Sequence, residues 1–252
     1  MRRFGWILIV CLFAGACSRA SSSAAPSAAP SSPTPSAAAA LATTSLLDGS
    51  GTTVLRANGA GFLIYRHPGL GAVLSMRLPA TNDWSQPLRL PAVDGFVDEA
   101  GTAWYRVRLP IRPNGALGWV RGDETQARVL HERIVVDLST HRLQRIVAGA
   151  RVEAFSIGSG ASGTPTPSGR FFVWAHVPTG EPHGPYGVYA LGLSGFSDVI
   201  TDWIGGGRLA IHGTDDPHDR GGDVSHGCVR VFNPQMERLT DVPLGTPVWI
   251  HA

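Results

Sequence analysis

At 252 residues and 43% hydrophobic content, the chain carries enough apolar material for one large packed domain or two smaller ones. Its 31 glycines and 19 prolines favour short strands joined by many turns over a helical bundle. The formal net charge is only +2, and the basic residues, all of them arginine, are scattered, which excludes the basic stripe of a nucleic-acid binder.

Arg2 and Arg3 precede an apolar run from Phe4 to Ala16 that ends in "AGAC". The run falls short of the roughly 20 residues needed to span a bilayer. A charged start, a short apolar stretch and small residues at the end mark residues 1–17 as a secretory signal. The small residues before Cys17 resemble a bacterial lipobox, in which the cysteine becomes a lipidated N-terminus, although Ala14 stands where that motif more often has leucine. Residues 18–45 are Ser, Ala, Pro or Thr except for Arg19 and Leu41. Such a segment cannot bury apolar surface and is expected to be a disordered tether. The expected location is extracytoplasmic, in the bacterial cell envelope, with a lipid anchor on the outer face of the membrane.

Residues 46–128 hold short apolar stretches between turns, among them "GFLIYRH", "AVLSMRL" and "AWYRVRLP". In "WYRVRL", Trp104, Tyr105, Val107 and Leu109 largely alternate with Arg106 and Arg108, the period of a half-buried strand. Pro113-Asn114-Gly115 is a turn signal between two strands. A small β-domain is predicted here, of a size that can fold alone. "WYRVRLPIRPNGALGWV" resembles a bacterial SH3-like domain.

From residue 131 to 252 the strand signals sharpen in "RIVVDLS", "VEAFSIGSG", "GRFFVWAHV", "GVYALGL", "RLAIHG" and "TPVWIHA". Asn233 as N-cap and Pro234 at the first helical position predict a helix through "QMERLTDV". The predicted fold is mostly β, with one or two short helices in this second part.

Cys228 is the only cysteine after residue 17, so it has no disulfide partner later in the chain. It lies in "DVSHGCVRVFN". Gly227 lets a backbone approach closely, Ser225 and His226 bring polar groups beside the sulfur, and a helical turn following Cys228 would stabilise an anion. These features are expected to lower the thiol pKa and to supply donors to a tetrahedral intermediate. A cysteine nucleophile needs a base: His212, at the end of "RLAIHG", is the best candidate, and its competitor His226 is close enough in sequence to shape the pocket instead. The Gly- and Asp-rich loop between His212 and Cys228 can double back and bring the two together.

His212 followed by Ser225-His226-Gly227-Cys228 resembles the signature of the YkuD-type L,D-transpeptidases. "VDLSTHRL", "TPTPSGRF", "IHGTDDP" and "VPLGTPVWI" resemble the same family in the same order. The resemblance implies an acyl transfer on peptidoglycan. Cys228 would attack the L-centre carbonyl of a tetrapeptide stem, release D-Ala, and pass the acyl group to an amine, giving a 3→3 cross-link. It implies His212 as the base, the Gly213 carbonyl as the group fixing its tautomer, and the N–H groups of Gly227 and Cys228 as the oxyanion hole. Arg230, after Val229, takes a supporting role. Residues 177–189 match the family's hairpin over the site, with Tyr186 and Tyr189 lining it. The implied partners are donor and acceptor stem peptides, with no cofactor and no metal.

Three rivals are weighed against this reading. His212 and Asp219 reproduce half of a zinc peptidase signature, but the downstream H-x-H is missing from the sequence. Water as acceptor would make an L,D-carboxypeptidase. A lipid-anchored, non-enzymatic peptidoglycan binder would not depend on Cys228 or His212.

Overall fold

The computed structural model describes residue 47, residues 51–202 and residues 205–252. Cys17 and the segments read as a signal and a tether, residues 1–17 and 18–45, lie outside the described residues.

Seven strands come first: β1 (Thr52–Ala57), β2 (Gly61–Tyr65), β3 (Leu74–Pro79), β4 (Leu90–Val97), β5 (Ala103–Arg108), β6 (Leu117–Arg121) and β7 (Thr125–Leu130). They form an antiparallel sheet in the order β3-β2-β6-β5-β4-β1-β7. In β5 the alternation buries Trp104 and Val107 while Arg106 is exposed. The Trp104 indole N–H donates to Asp98 Oδ2 at 2.8 Å, so the large ring is buried without losing its polar partner. The Pro113–Gly115 turn joins β5 to β6, as its residue types require.

The second part contains β8 (Glu132–Asp137), β9 (Arg142–Val147), β10 (Ala150–Ser156), β11 (Ser159–Gly160), β12 (Gly169–Pro178), β13 (Tyr189–Phe196), β14 (Arg208–Thr214), β15 (Asp223–Ser225), β16 (Val229–Phe232), α1 (Asn233–Met236) and β17 (Pro247–His251). Eight of these strands form a mixed sheet in the order β10-β9-β8-β17-β12-β13-β14-β16. The pairs β8–β17 and β14–β16 are parallel. The short strands β11 and β15 pair separately, also in parallel. The chain is thus mostly β.

The ten-residue β12 explains how the two sheets meet. Its sequence "FFVWA" is a continuous apolar run, the mark of a strand buried on both faces. Phe171 and Val173 enter a core with Ile134, Leu143, Leu191, Ile211, Val229 and Val248. Phe172, Trp174 and Ala175 enter a second core with Leu55, Phe62, Ile64, Leu90 and Val107 from the first sheet. Each fully buried side chain of this size contributes roughly 1.5–3 kcal/mol. Asn82 Nδ2 donates to Trp174 O at 2.7 Å, and Gln86 both donates to His176 O and accepts from His176 N, at 2.7 and 2.8 Å. These bonds satisfy β12 backbone groups where the strand register shifts between Val173 and Ala175.

The helix differs from its prediction. It is a single turn, followed by a 3-10 turn at Glu237–Leu239. Phe232 holds the N-cap position with no side-chain cap, and Asn233 lies inside the helix with its amide turned elsewhere. A tertiary partner outcompetes the local capping preference of the Asn233 side chain.

Candidate active site

The parallel pairing of β14 with β16 brings the two signature segments together. Ile211 lies opposite Val229 and His212 opposite Arg230. Ile211, Val229 and Val231 face the core. By the two-residue period, His212 and Arg230 then share the other face, and Cys228, two residues before Arg230, precedes them on that side. The sulfur and the imidazole therefore come from adjacent parallel segments, although 16 positions separate them in sequence.

His212 is almost fully enclosed, with 3% of its surface exposed. Its Nδ1 lies 2.9 Å from Gly213 O. A carbonyl only accepts, so Nδ1 carries the proton in the neutral ring and Nε2 keeps its lone pair. Burial pushes the His212 pKa down to about 4; the Gly213 hydrogen bond opposes this, the Arg230 charge adds to it, and Asp219 opposes it. Burial also pushes the half-buried Cys228 thiol up, while a hydrogen bond from the Ala210 backbone and the Arg230 charge pull it down. The expected lowering of the thiol pKa is thus corrected: burial raises it, and burial favours the neutral form of the imidazole as well. The expected helical turn after Cys228 is absent as well, because Val229–Phe232 continues as β16 and its N–H groups serve the sheet.

The turn that carries Cys228 is braced by Ser225, itself buried. Ser225 Oγ donates to Cys228 O at 2.5 Å and accepts from Gly227 N at 3.1 Å. Ser225 O in turn accepts from Ala161 N at 2.8 Å and Thr164 Oγ1 at 3.1 Å. Gly227 adopts φ +116°, a conformation that disfavours any residue with a Cβ. One expected oxyanion donor, the Gly227 N–H, is therefore engaged in the resting turn. His226 is exposed.

Arg230 Nη1 donates to Asp219 Oδ1 at 2.8 Å, and Thr214 Oγ1 donates to Asp219 Oδ2. Asp219, only 2% exposed, is thereby fully spent on structural partners. Thr214 and Asp219 were not singled out as supports from the sequence; the available signal was the run of four aspartates, Asp215, Asp216, Asp219 and Asp223, in the loop after His212. Among the described residues, no three His, Cys, Asp or Glu side chains converge as a metal site.

Tyr186 and Tyr189 separate in role. The Tyr186 ring stands edge-on to His212, with centroids 5.2 Å apart and planes at 78°. Tyr189 instead points its hydroxyl at His176 Nδ1, 2.8 Å away, and packs against the core. Cys17, the expected lipidation site, lies outside the described residues. A cavity of about 500 Å³ lies away from this constellation, lined by residues 58–63, residues 77–79 and Glu124.

A family model described as the L,D-transpeptidase catalytic domain, YkuD, matches residues 131–250. A putative L,D-transpeptidase YkuD of Bacillus licheniformis is 34% identical over 119 residues, covering 47% of this chain and 64% of that protein. The match thus spans less than two thirds of that relative's length. A putative L,D-transpeptidase YqjB of Bacillus subtilis is 30% identical over 129 residues, covering 46% of this chain and 69% of that protein. An L,D-transpeptidase crystal structure from Enterococcus faecium is 28% identical, covering 48% of this chain and 50% of that chain, with a TM-score of 0.39. The family model spans the segment that holds His212 and Cys228, and the relatives agree with it: the chain belongs to the L,D-transpeptidase family.

Proposed function

We propose that the protein is a peptidoglycan L,D-transpeptidase of the bacterial cell envelope, with Cys228 as the acylated nucleophile. The observation that carries this reading is the His212 Nδ1–H···O=C Gly213 bond on the strand beside Cys228, which leaves Nε2 unprotonated and able to act as a base. His212 Nε2 takes the thiol proton as Sγ attacks the L-centre carbonyl of a tetrapeptide stem. The oxyanion is received by the Cys228 N–H, joined by the Gly227 N–H once Ser225 Oγ releases it; each such donor is worth about 2.7–4 kcal/mol. Collapse breaks the bond to D-Ala, whose amine takes the proton from His212, and leaves a thioester on Cys228. An acceptor amine then gives its proton to His212 and attacks the thioester. The second collapse returns the proton to sulfur and releases the 3→3 cross-linked product.

A neutral resting pair suits this sequence of transfers. An imidazole with a depressed pKa passes on a proton readily, and charge forms only when substrate is present. Arg230 and Asp219 support the pair electrostatically, and Tyr186 borders the donor site. Residues 46–128, read as an SH3-like module, and Cys17, read as the lipid anchor after a cleaved signal, would hold the catalytic part between membrane and wall.

The test is incubation of the purified protein and its Cys228→Ala variant with a disaccharide-tetrapeptide, followed by mass spectrometry. Cysteine-dependent loss of D-Ala together with a tetrapeptide–tripeptide dimer is expected. Tripeptide alone would mean that water is the acceptor, and unchanged substrate would overturn the enzymatic reading.

A further inference from the structure

Asn233, five residues after the nucleophile, is 9% exposed, and its side chain reaches away from the helix that contains it. Its Nδ2 donates to Pro182 O at 2.8 Å, and its Oδ1 accepts from Val188 N at 3.0 Å. Both partners belong to the loop between β12 and β13. Two glycines close around the same amide: a Cβ on Gly187 or on Gly213 would lie 2.2 Å from Asn233 Oδ1. A Cβ on Gly187 would also lie 2.3 Å from the Gly213 carbonyl carbon, so the loop backbone rests directly on the residue that holds His212. The same loop carries Tyr186 against the imidazole.

We propose that Asn233 is a positioning residue for His212, bolting the 182–188 loop onto Gly213 and so holding Tyr186 over the imidazole. This rests on the reading of His212 as the base. The loop is also held by internal bonds, among them Thr179 Oγ1 to Gly187 O and Gly187 N to Gly184 O, and by a link from His183 to Asp215, whose side chains are 86% and 47% exposed. Exposed pairs of that kind contribute little. Asn233 ties both ends of the 182–188 segment from the buried side while packing against Gly213, and the task needs a side chain that donates and accepts at once. An aspartate lacks the donor, and serine is too short to reach both backbone groups.

The consequence concerns hydration of the base. The groups that face His212 are Tyr186 from the loop, Arg230 from β16, and Asp219 from the 3-10 turn at Pro217–Asp219, and Cys228 immediately precedes the strand paired with β14. Of these, only the Tyr186 cover depends on Asn233. Freeing the loop should admit water to the ring and leave its charged neighbours in place.

The experiment compares the full chain with Asn233→Ala, Asn233→Ser and Tyr186→Ala. NMR follows the His212 ring proton from pH 8 to pH 5, and D-Ala release is measured over the same range. In the unaltered protein the ring should stay neutral throughout. In all three variants it should begin to titrate within this window, moving toward the ordinary histidine value of about 6.5. The acid limb of kcat/KM should move to higher pH with it, and kcat should fall about tenfold. A folded Asn233→Ala or Asn233→Ser protein whose His212 titration matches the unaltered protein overturns the proposal, whatever its melting temperature. If neither Asn233 variant folds, Tyr186→Ala decides: an unshifted titration there overturns it equally. Shifted titrations without turnover even in the unaltered protein would overturn the assigned reaction and uphold the positioning role.

Discussion

Asn114, in the turn between β5 and β6, forms a two-way hydrogen bond with the backbone of Phe196 at the end of β13. Its Oδ1 accepts from Phe196 N at 2.9 Å and its Nδ2 donates to Phe196 O at 2.7 Å. Arg112 beside it donates to Ser197 O at 3.0 Å and Gly206 O at 2.9 Å. A turn of the first sheet thus stands in for a neighbouring strand and fixes the segment that leads into β14. Asn114→Ala should cost about 1–3 kcal/mol, because it leaves both Phe196 backbone groups without their partner. Urea unfolding of the variant checks this, and a change within about 0.3 kcal/mol would show that water replaces the amide at no cost.

The half-buried thiol, whose pKa burial raises, has a direct chemical signature. Alkylation of Cys228 by iodoacetamide follows the thiolate, so its rate should rise only above the ordinary thiol value of about 8.5. A midpoint below pH 7 would show a resting thiolate–imidazolium pair.

His212 links stability to acid. Its folded pKa, about 4, is below the unfolded value of about 6.5, so the unfolded chain takes up the proton first as pH falls. The contribution is fully present above about pH 6.5 and is lost progressively down to about pH 4, amounting to about 3 kcal/mol. Denaturant titrations across that window should show His212→Gln losing stability less steeply than the unaltered protein.

Arg230→Met should do more harm than a surface change. It leaves the Asp219 carboxylate, 2% exposed, with Thr214 as its remaining side-chain partner. Removing one partner of a buried pair costs about 3–5 kcal/mol, somewhat less here because the arginine is partly exposed. It also removes the positive charge that depresses the His212 pKa, so the His212 titration should move upward. Thermal unfolding and NMR together test both effects.

What the sequence disclosed follows from the range over which each signal acts. The two-residue alternation in β5 and the unbroken apolar run of β12 are local, and both elements were readable. The order from His212 to Cys228 was readable as a family motif, and the pairing of β14 with β16 sets its two segments side by side. Asn233 was misread because its capping preference is local while its actual partners, Pro182 and Val188, lie 51 and 45 positions away. The thiol pKa was misjudged because polar neighbours are visible in a sequence and desolvation is not. The embrace of Asp219 by Thr214 and Arg230 depends on loop closure, which no spacing encodes.

The strand β12 has a consequence for how the molecule comes apart. Phe171 and Val173 belong to one core, Phe172 and Trp174 to the other, so neither core can melt without stripping a wall from its neighbour. Heat or denaturant should therefore take the described residues apart in one concerted transition. A protease cut near residue 130 that freed the first sheet would leave Phe172 and Trp174 bare to water, and the released catalytic half would be prone to clump.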